Sequence, residues 1–158
     1  MRFADFVCRE AVIPDLQASD KEGVIQEMLE ALQRCGAIKS EEAPSIFKAI
    51  MKREELGSTG LGRGVAVPHI KHPSVESLVG TVAVSHQGVD FAAMDGEPVH
   101  VFILLVSPPD RTAEHLRALE NIIKQMRNDT FLRFLQQANT KEDILQVLDE
   151  ADAGQFAT

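Results

Sequence analysis

Three positions in this 158-residue chain carry residue types suited to group-transfer chemistry: His69, His115 and Arg53. His69 follows Pro68 and a run with four glycines in eight residues, Gly57-Ser58-Thr59-Gly60-Leu61-Gly62-Arg63-Gly64. The proline fixes the backbone next to the imidazole and pre-aims it. The glycines let backbone approach a bound group closely. A free imidazole is largely neutral at pH 7 and is therefore a nucleophile. The other reading of His69 is a histidine in a surface turn. His115 opens the apolar pattern of a long helix, near its inner face. There a neutral ring can donate an N–H to a phosphate, since helix N-termini favour anions. Its other reading is a half-buried histidine satisfying a backbone carbonyl. Arg53 directly precedes the glycine run, where a guanidinium can reach an anion. Lys52, Glu54 and Glu55 read as a solvated helix end.

Other chemistries fit less well. A phosphate-binding loop of the G-x-x-x-x-G-K-[ST] kind fails at Arg63-Gly64, so nucleotide binding is not expected. His69 and His72 lack a third ligand at a convincing spacing, and Lys71 stands between them, so no metal is expected. No cofactor is implied. His72 and His86 read as solvated, and His100 as a paired residue of the sheet. Cys8 and Cys35 form no CxxC and read as reduced, mostly buried thiols.

The elements that must position these residues follow from periodicity. Val24, Ile25, Met28, Leu29 and Leu32 form one face of a helix from Lys21 to about Arg34, capped by Ser19 or Asp20 and stopped at Gly36. A second helix runs from Ser40 to about Lys52-Arg53. The glycine run is predicted as a loop. It feeds a short strand, Val65 to His69, whose end is set by Pro68. Leu78–Ser85 and Val99–Val106 are further strands. The second is nearly all apolar, which suits a central strand covered on both faces. A helix after Ser107-Pro108-Pro109-Asp110, with Asp110 as its cap, carries Leu116, Leu119, Ile122, Ile123 and Met126 as its apolar stripe. Thr130–Gln136 and Lys141–Glu150 are shorter helices, the last opened by Thr140 and Asp143 in capping-box spacing. The pattern predicts an α/β fold, a single layered domain with a small central mixed β-sheet flanked by helices on both sides. Residues 1–150 form the domain and 151–158 a frayed tail.

Composition bounds the function. Hydrophobic residues are 44% and charged residues 25% of the chain, as in a soluble globular domain. Sixteen Lys and Arg against twenty-four Asp and Glu give a net charge of −8, which argues against nucleic acid as a partner. No apolar run is long enough to span a membrane, and the start does not read as a secretory signal. A cytoplasmic protein is expected.

The segments Arg53-Glu54-Glu55-Leu56-Gly57-Ser58-Thr59-Gly60 and Gly64-Val65-Ala66-Val67-Pro68-His69 resemble the active-site stretch of enzyme IIA domains of the bacterial phosphotransferase system. The resemblance is to the fructose/mannitol type and, within it, to nitrogen-regulatory IIA proteins. Phe91-Ala92-Ala93-Met94-Asp95-Gly96-Glu97-Pro98-Val99 and His115-Leu116-Arg117-Ala118-Leu119 extend it, so that it runs from about Arg2 to Asp149. It implies that His69 is the phosphorylated nucleophile, His115 the second active-site histidine and Arg53 the phosphate-facing cation. Ser58, Thr59 and Gly60 are candidate phosphate-binding donors. The resemblance also implies a phosphohistidine carrier protein as donor. That partner would dock on apolar residues near His69, for which Leu61 and Ile70 are candidates. Ile70 stands where the family often has a small residue. The implied function is phosphoryl carriage with a regulatory, nitrogen-type role. The alternatives are transfer to a separate IIB protein for sugar uptake, or a non-catalytic module that binds a regulatory target protein.

Overall fold

A computed structural model describes residues 1–156. The chain forms α1 (Lys21–Arg34), α2 (Ala43–Glu55), β1 (Gly60–Gly62), β2 (Val65–Ala66), β3 (His69–Lys71), β4 (Val79–Val89), β5 (Val99–Ser107), α3 (Thr112–Met126), α4 (Asp129–Gln137) and α5 (Lys141–Asp152). Two single 3₁₀ turns, Phe3–Asp5 and Arg9–Ala11, precede them.

β5 is the axis of the mixed sheet. β4 pairs with it antiparallel along one edge. β2 and β3 share its other edge, both parallel to it. They are successive pieces of one lane, interrupted at Pro68, which has no N–H to give to a ladder. β1 pairs antiparallel with β2. Outside β4 runs the N-terminal segment, whose Cys8 and Ile13 N–H groups donate to Gly80 and Val82 carbonyls at 2.8 and 2.9 Å.

β5 is buried on both faces from Val101 to Ser107, which explains the unbroken apolar run Val101–Val106. Val101, Ile103 and Leu105 point into a core built with α3, α4 and α5. Phe102, Leu104 and Val106 point the other way, into a core built with α1 and α2. The expected helix–sheet–helix layering is thus the fold observed.

Several boundaries move. Asp20 rather than Ser19 caps α1, accepting from the Gly23 N–H at 2.7 Å. Arg111 rather than Asp110 holds the N-cap position of α3, and no side chain caps that end. The buried stripe of α3 is His115, Ala118, Ile122 and Met126, a period of three and four. Leu116 and Ile123, expected inside, are exposed on its flank. The glycine run is not all loop, since Gly60–Gly62 pairs as β1. The turn from β1 to β2 takes Gly62, Arg63 and Gly64 through positive φ angles of 91°, 59° and 79°. Asp95 secures it by accepting the Arg63 N–H at 3.0 Å. The Thr140–Asp143 capping box opens α5 as expected.

The segment expected to fray from residue 151 is ordered through 156. Asp152 ends α5 and accepts the Phe3 and Ala4 N–H groups at 2.7 and 2.9 Å. Phe156 stacks edge-on against Phe131 and Phe134. Residues 157–158 of the expected tail lie outside the described residues.

Candidate functional site

His69 opens β3 rather than closing the strand before it. Its half-buried ring sits with Nδ1 2.6 Å from its own chain's Val67 carbonyl. A carbonyl only accepts, so Nδ1 carries the proton and Nε2 keeps its lone pair. Pro68 supports this geometry twice. It sets the bend that folds the ring back on Val67, and its carbonyl accepts the Leu105 N–H at 3.0 Å, tying the bend to β5.

The register with β5 places His69 beside Leu105 and Lys71 beside Ser107. Leu105 faces the α3–α5 core, so His69, Lys71 and Ser107 share that face of the sheet. α3 lays His115 over the same face. The two imidazole centroids are 5.8 Å apart at an interplanar angle of 50°. His115 is only 5% exposed, and its Nδ1 lies 2.6 Å from the buried Ser107 hydroxyl. Burial, with smaller contributions from the charges of His69 and Lys71, pushes its pKa down to about 4. The ring is neutral at pH 7. When the Ser107 hydroxyl donates to Nδ1, the neutral ring carries its proton on Nε2, where it can be donated to a bound group. His115 is therefore both a core residue and a neighbour of His69, and its partner is a side-chain hydroxyl rather than a backbone carbonyl.

Arg53, in the last turn of α2, donates from Nη1 to the Gly57 carbonyl at 2.9 Å. It closes the helix end onto the start of the glycine run. Glu54 beside it is not a solvated helix end. It is buried and accepts from Lys21 Nζ at 3.0 Å, from the Thr59 N–H at 3.2 Å and from Thr59 Oγ1 at 2.5 Å. Lys21 also lies 4.4 Å from the centroid of the Phe91 ring. This cluster anchors the glycine run to both helices of the α1–α2 layer. Its sequence signal was the Arg53-Glu54 pair standing before the Ser58-Thr59 hydroxyls.

The three candidate phosphate donors are spent within the fold. Thr59 is buried, and both of its donors go to Glu54. Ser58 Oγ donates to the Phe91 carbonyl at 2.8 Å and accepts the Gly60 N–H at 2.9 Å. Gly60 is required by packing, since a Cβ there would stand 2.8 Å from Ala93 Cα. Thr59 ties this segment to the residue two before His69, its carbonyl accepting the Val67 N–H at 3.0 Å, and the hydroxyl protons of Ser58 and Thr59 are already given to Phe91 and Glu54.

Leu61 is 41% exposed and Leu116, next to His115, is 53% exposed. Ile70 is half-buried and leans on the α1–α2 core, because it alternates with His69 along β3. His72, expected to be solvated, is buried. Its Nε2 lies 2.9 Å from Ser45 Oγ and its Nδ1 2.7 Å from Ser74 Oγ. His86 is exposed, and His100 is paired to the Ser85 carbonyl at 2.8 Å. Cys8 and Cys35 are half-buried free thiols. Burial first, and the Cys35 thiol beside it second, push the Cys8 thiol up to about 11. Among the described residues no group of three or more His, Cys, Asp and Glu could hold a metal ion, and no helix is long and apolar enough to cross a membrane.

Fold and site together define a layered α/β domain that presents a paired histidine couple where a broken parallel lane meets α3. Residues 5–151 match the family described as phosphoenolpyruvate-dependent sugar phosphotransferase system, EIIA 2, and the chain belongs to that family. The nitrogen regulatory protein of Bradyrhizobium diazoefficiens is 32% identical over 148 residues, spanning 94% of this chain and 95% of that protein. The fructose-specific EIIABC component of Bacillus subtilis is 27% identical over 96% of this chain, which spans 24% of that longer protein. The crystal structure of nitrogen regulatory protein IIA-Ntr from Neisseria meningitidis superposes with a TM-score of 0.83 at 27% identity, covering 92% of this chain and 98% of that one.

Proposed function

We propose that this protein is a cytoplasmic phosphoryl carrier that accepts a phosphoryl group on Nε2 of His69 from a phosphohistidine carrier protein. The observation that carries the proposal is the His69–Val67 hydrogen bond. It fixes one tautomer and leaves the other nitrogen as a pre-aimed nucleophile. In the transfer the Nε2 lone pair forms the new N–P bond. The donor's P–N bond breaks, and its electron pair returns to the donor ring. The Nδ1 proton stays on its hydrogen bond to Val67. Charge on the phosphoryl oxygens needs positioned donors rather than covalent help. The neutral His115 ring supplies an N–H, and Arg53 supplies the positive charge at the end of α2. Leu61 and Leu116 offer exposed apolar surface on which a donor protein can dock, whereas Ile70 is turned to the α1–α2 core.

A regulatory role is favoured by the near end-to-end likeness to a nitrogen regulatory protein. In that role the two charges added to His69 change which target protein binds. A transport role, handing the group to a separate IIB protein, is the second reading. It is supported by the match to part of a fructose-specific EIIABC component.

The test is incubation with the phosphorylated carrier protein followed by intact mass. One acid-labile phosphoryl group per chain is expected. His69→Ala is expected to abolish it without changing the melting temperature, since the ring is half-buried at a strand start. Stoichiometric labelling of that variant refutes the assignment.

A further inference from the structure

We propose that Lys71 is a second cation of the phosphoryl site, its ammonium group pairing with the oxygens of a phosphoryl group on His69. This rests on the reading of His69 as phosphoryl acceptor and goes beyond the His69, His115 and Arg53 set.

The pleat of β3 carries the first argument. His69 and Lys71 are two residues apart, so their side chains leave the same face, about 6–7 Å apart along the strand. A lysine side chain spans that distance. The ladder carries the second. Lys71 is in register with Ser107, and Ser107 holds His115. The nucleophile, the second histidine, its anchor and Lys71 therefore occupy one patch. The third argument is the tether. Lys71 Nζ donates to Thr112 Oγ1 at 3.2 Å, and Thr112 lies three residues before His115 on α3. One turn of helix thus sets both the His115 ring and the anchor of the ammonium group. Thr112 takes one of three ammonium donors and leaves two.

The free state is electrostatically unsatisfied. Among the described residues Lys71 pairs with no carboxylate, whereas the neighbouring Arg111 is matched by Glu114 at 3.0 Å. An unmatched cation at a helix N-terminus opposes the macrodipole. A dianion on His69 reverses that balance, meeting Lys71, the His115 N–H and the α3 terminus at once. Lys71 also contributes to holding His115 neutral, so its charge is already felt at the second histidine.

The test uses the full chain, the phosphorylated carrier protein as donor, and the variants Lys71→Met, Lys71→Arg and Thr112→Val. Phosphorylation rate is read by intact mass. The isolated phosphoproteins are then titrated by phosphorus NMR, which reads the phosphoryl group with no partner present. Loss of a charge-assisted hydrogen bond at an exposed group predicts labelling about tenfold slower in Lys71→Met. The phosphoryl titration should also shift upward by about 0.5–1 pH unit, since a nearby cation favours the dianion. Lys71→Arg should restore both. Thr112→Val, which frees the ammonium group without removing it, should fall between. Lys71 is exposed, so the variants fold. An unchanged titration overturns the proposal. If labelling is slowed while the titration is unchanged, Lys71 belongs to the donor's docking surface instead. If the wild-type chain takes no phosphoryl group, the carrier reading fails and Lys71 falls with it. If the wild type is labelled and the variant is indistinguishable from it, Lys71 alone is refuted.

Discussion

Acidification tests whether His115 is the buried, neutral ring that the site geometry requires. Its pKa of about 4 in the folded chain lies below the ordinary value near 6.5, chiefly because burial disfavours the charged ring. The unfolded chain therefore binds this proton more tightly than the folded one. Stability is unaffected above the unfolded value, falls as the pH drops from about 6.5 towards 4, and is level again below that. Integrated over the interval from pH 7 to pH 5, the ring costs about 2 kcal/mol. At this chain length that is about 4–8 °C in melting temperature. His115→Gln keeps a polar partner for the Ser107 hydroxyl and removes the titrating group. Its stability at pH 7 is expected to be lower than wild type, but its loss between pH 7 and 5 should be smaller by about 2 kcal/mol.

The assay is urea unfolding of both proteins at half-unit steps across that range. The carboxylates do not confuse it. Asp5, Asp95 and Asp143 are held below the usual carboxylate range by backbone N–H groups, and Asp149 by Arg9. Their contributions are lost only as the pH falls below about 4, and both proteins share them. Parallel stability curves for wild type and His115→Gln would refute the argument, and with it the claim that His115 meets a phosphoryl group as a neutral donor.

Two further substitutions probe the scaffold. Glu54→Gln leaves Lys21 without its carboxylate and weakens both Thr59 hydrogen bonds. It is expected to destabilise the fold by about 2 kcal/mol and to slow labelling of His69, as read by thermal melting and intact mass. Equal melting temperatures would show that the glycine run does not depend on this cluster. Thr81 Oγ1 is buried with no hydrogen-bond partner among the described residues. Thr81→Val keeps the shape and removes the orphan, so a gain of about 1 kcal/mol, or 2–4 °C in melting temperature, is expected. A loss of stability would mean the hydroxyl is satisfied after all.

The layering was legible because its signals are one-dimensional. β5 is apolar at every position from Val101 to Val106, which suits a strand covered on both faces, and the α1 stripe recurs at a helical period. The misplaced features depend on contacts between distant segments. Gly60–Gly62 reads as loop because nothing local reveals that β2 will lie beside it. The tail reads as frayed because Phe156 is ordered by Phe131 and Phe134, roughly twenty-five residues upstream. Leu116 was drawn into the α3 stripe by its hydropathy. The buried stripe runs through His115, as its spacing from Leu119 and Ile122 implied, and through Ala118 rather than Leu116.

The same distinction sorts the site. His69 was visible because proline and glycines flag a special backbone locally. Its tautomer was not, since that depends on where the Val67 carbonyl turns after Pro68. Ser58 and Thr59 looked like free donors because hydroxyls beside glycines suggest an anion cradle. In space Glu54 and the Phe91 carbonyl consume them first. Glu54 is the residue that sequence reasoning most undervalued. A glutamate at a helix end is normally solvated, and only the approach of Lys21 from a different helix makes its burial affordable. The chemistry was thus readable wherever one residue carries it alone. What was hidden is the partner that holds each side chain: Ser107 for His115, Glu54 for Thr59 and Thr112 for Lys71.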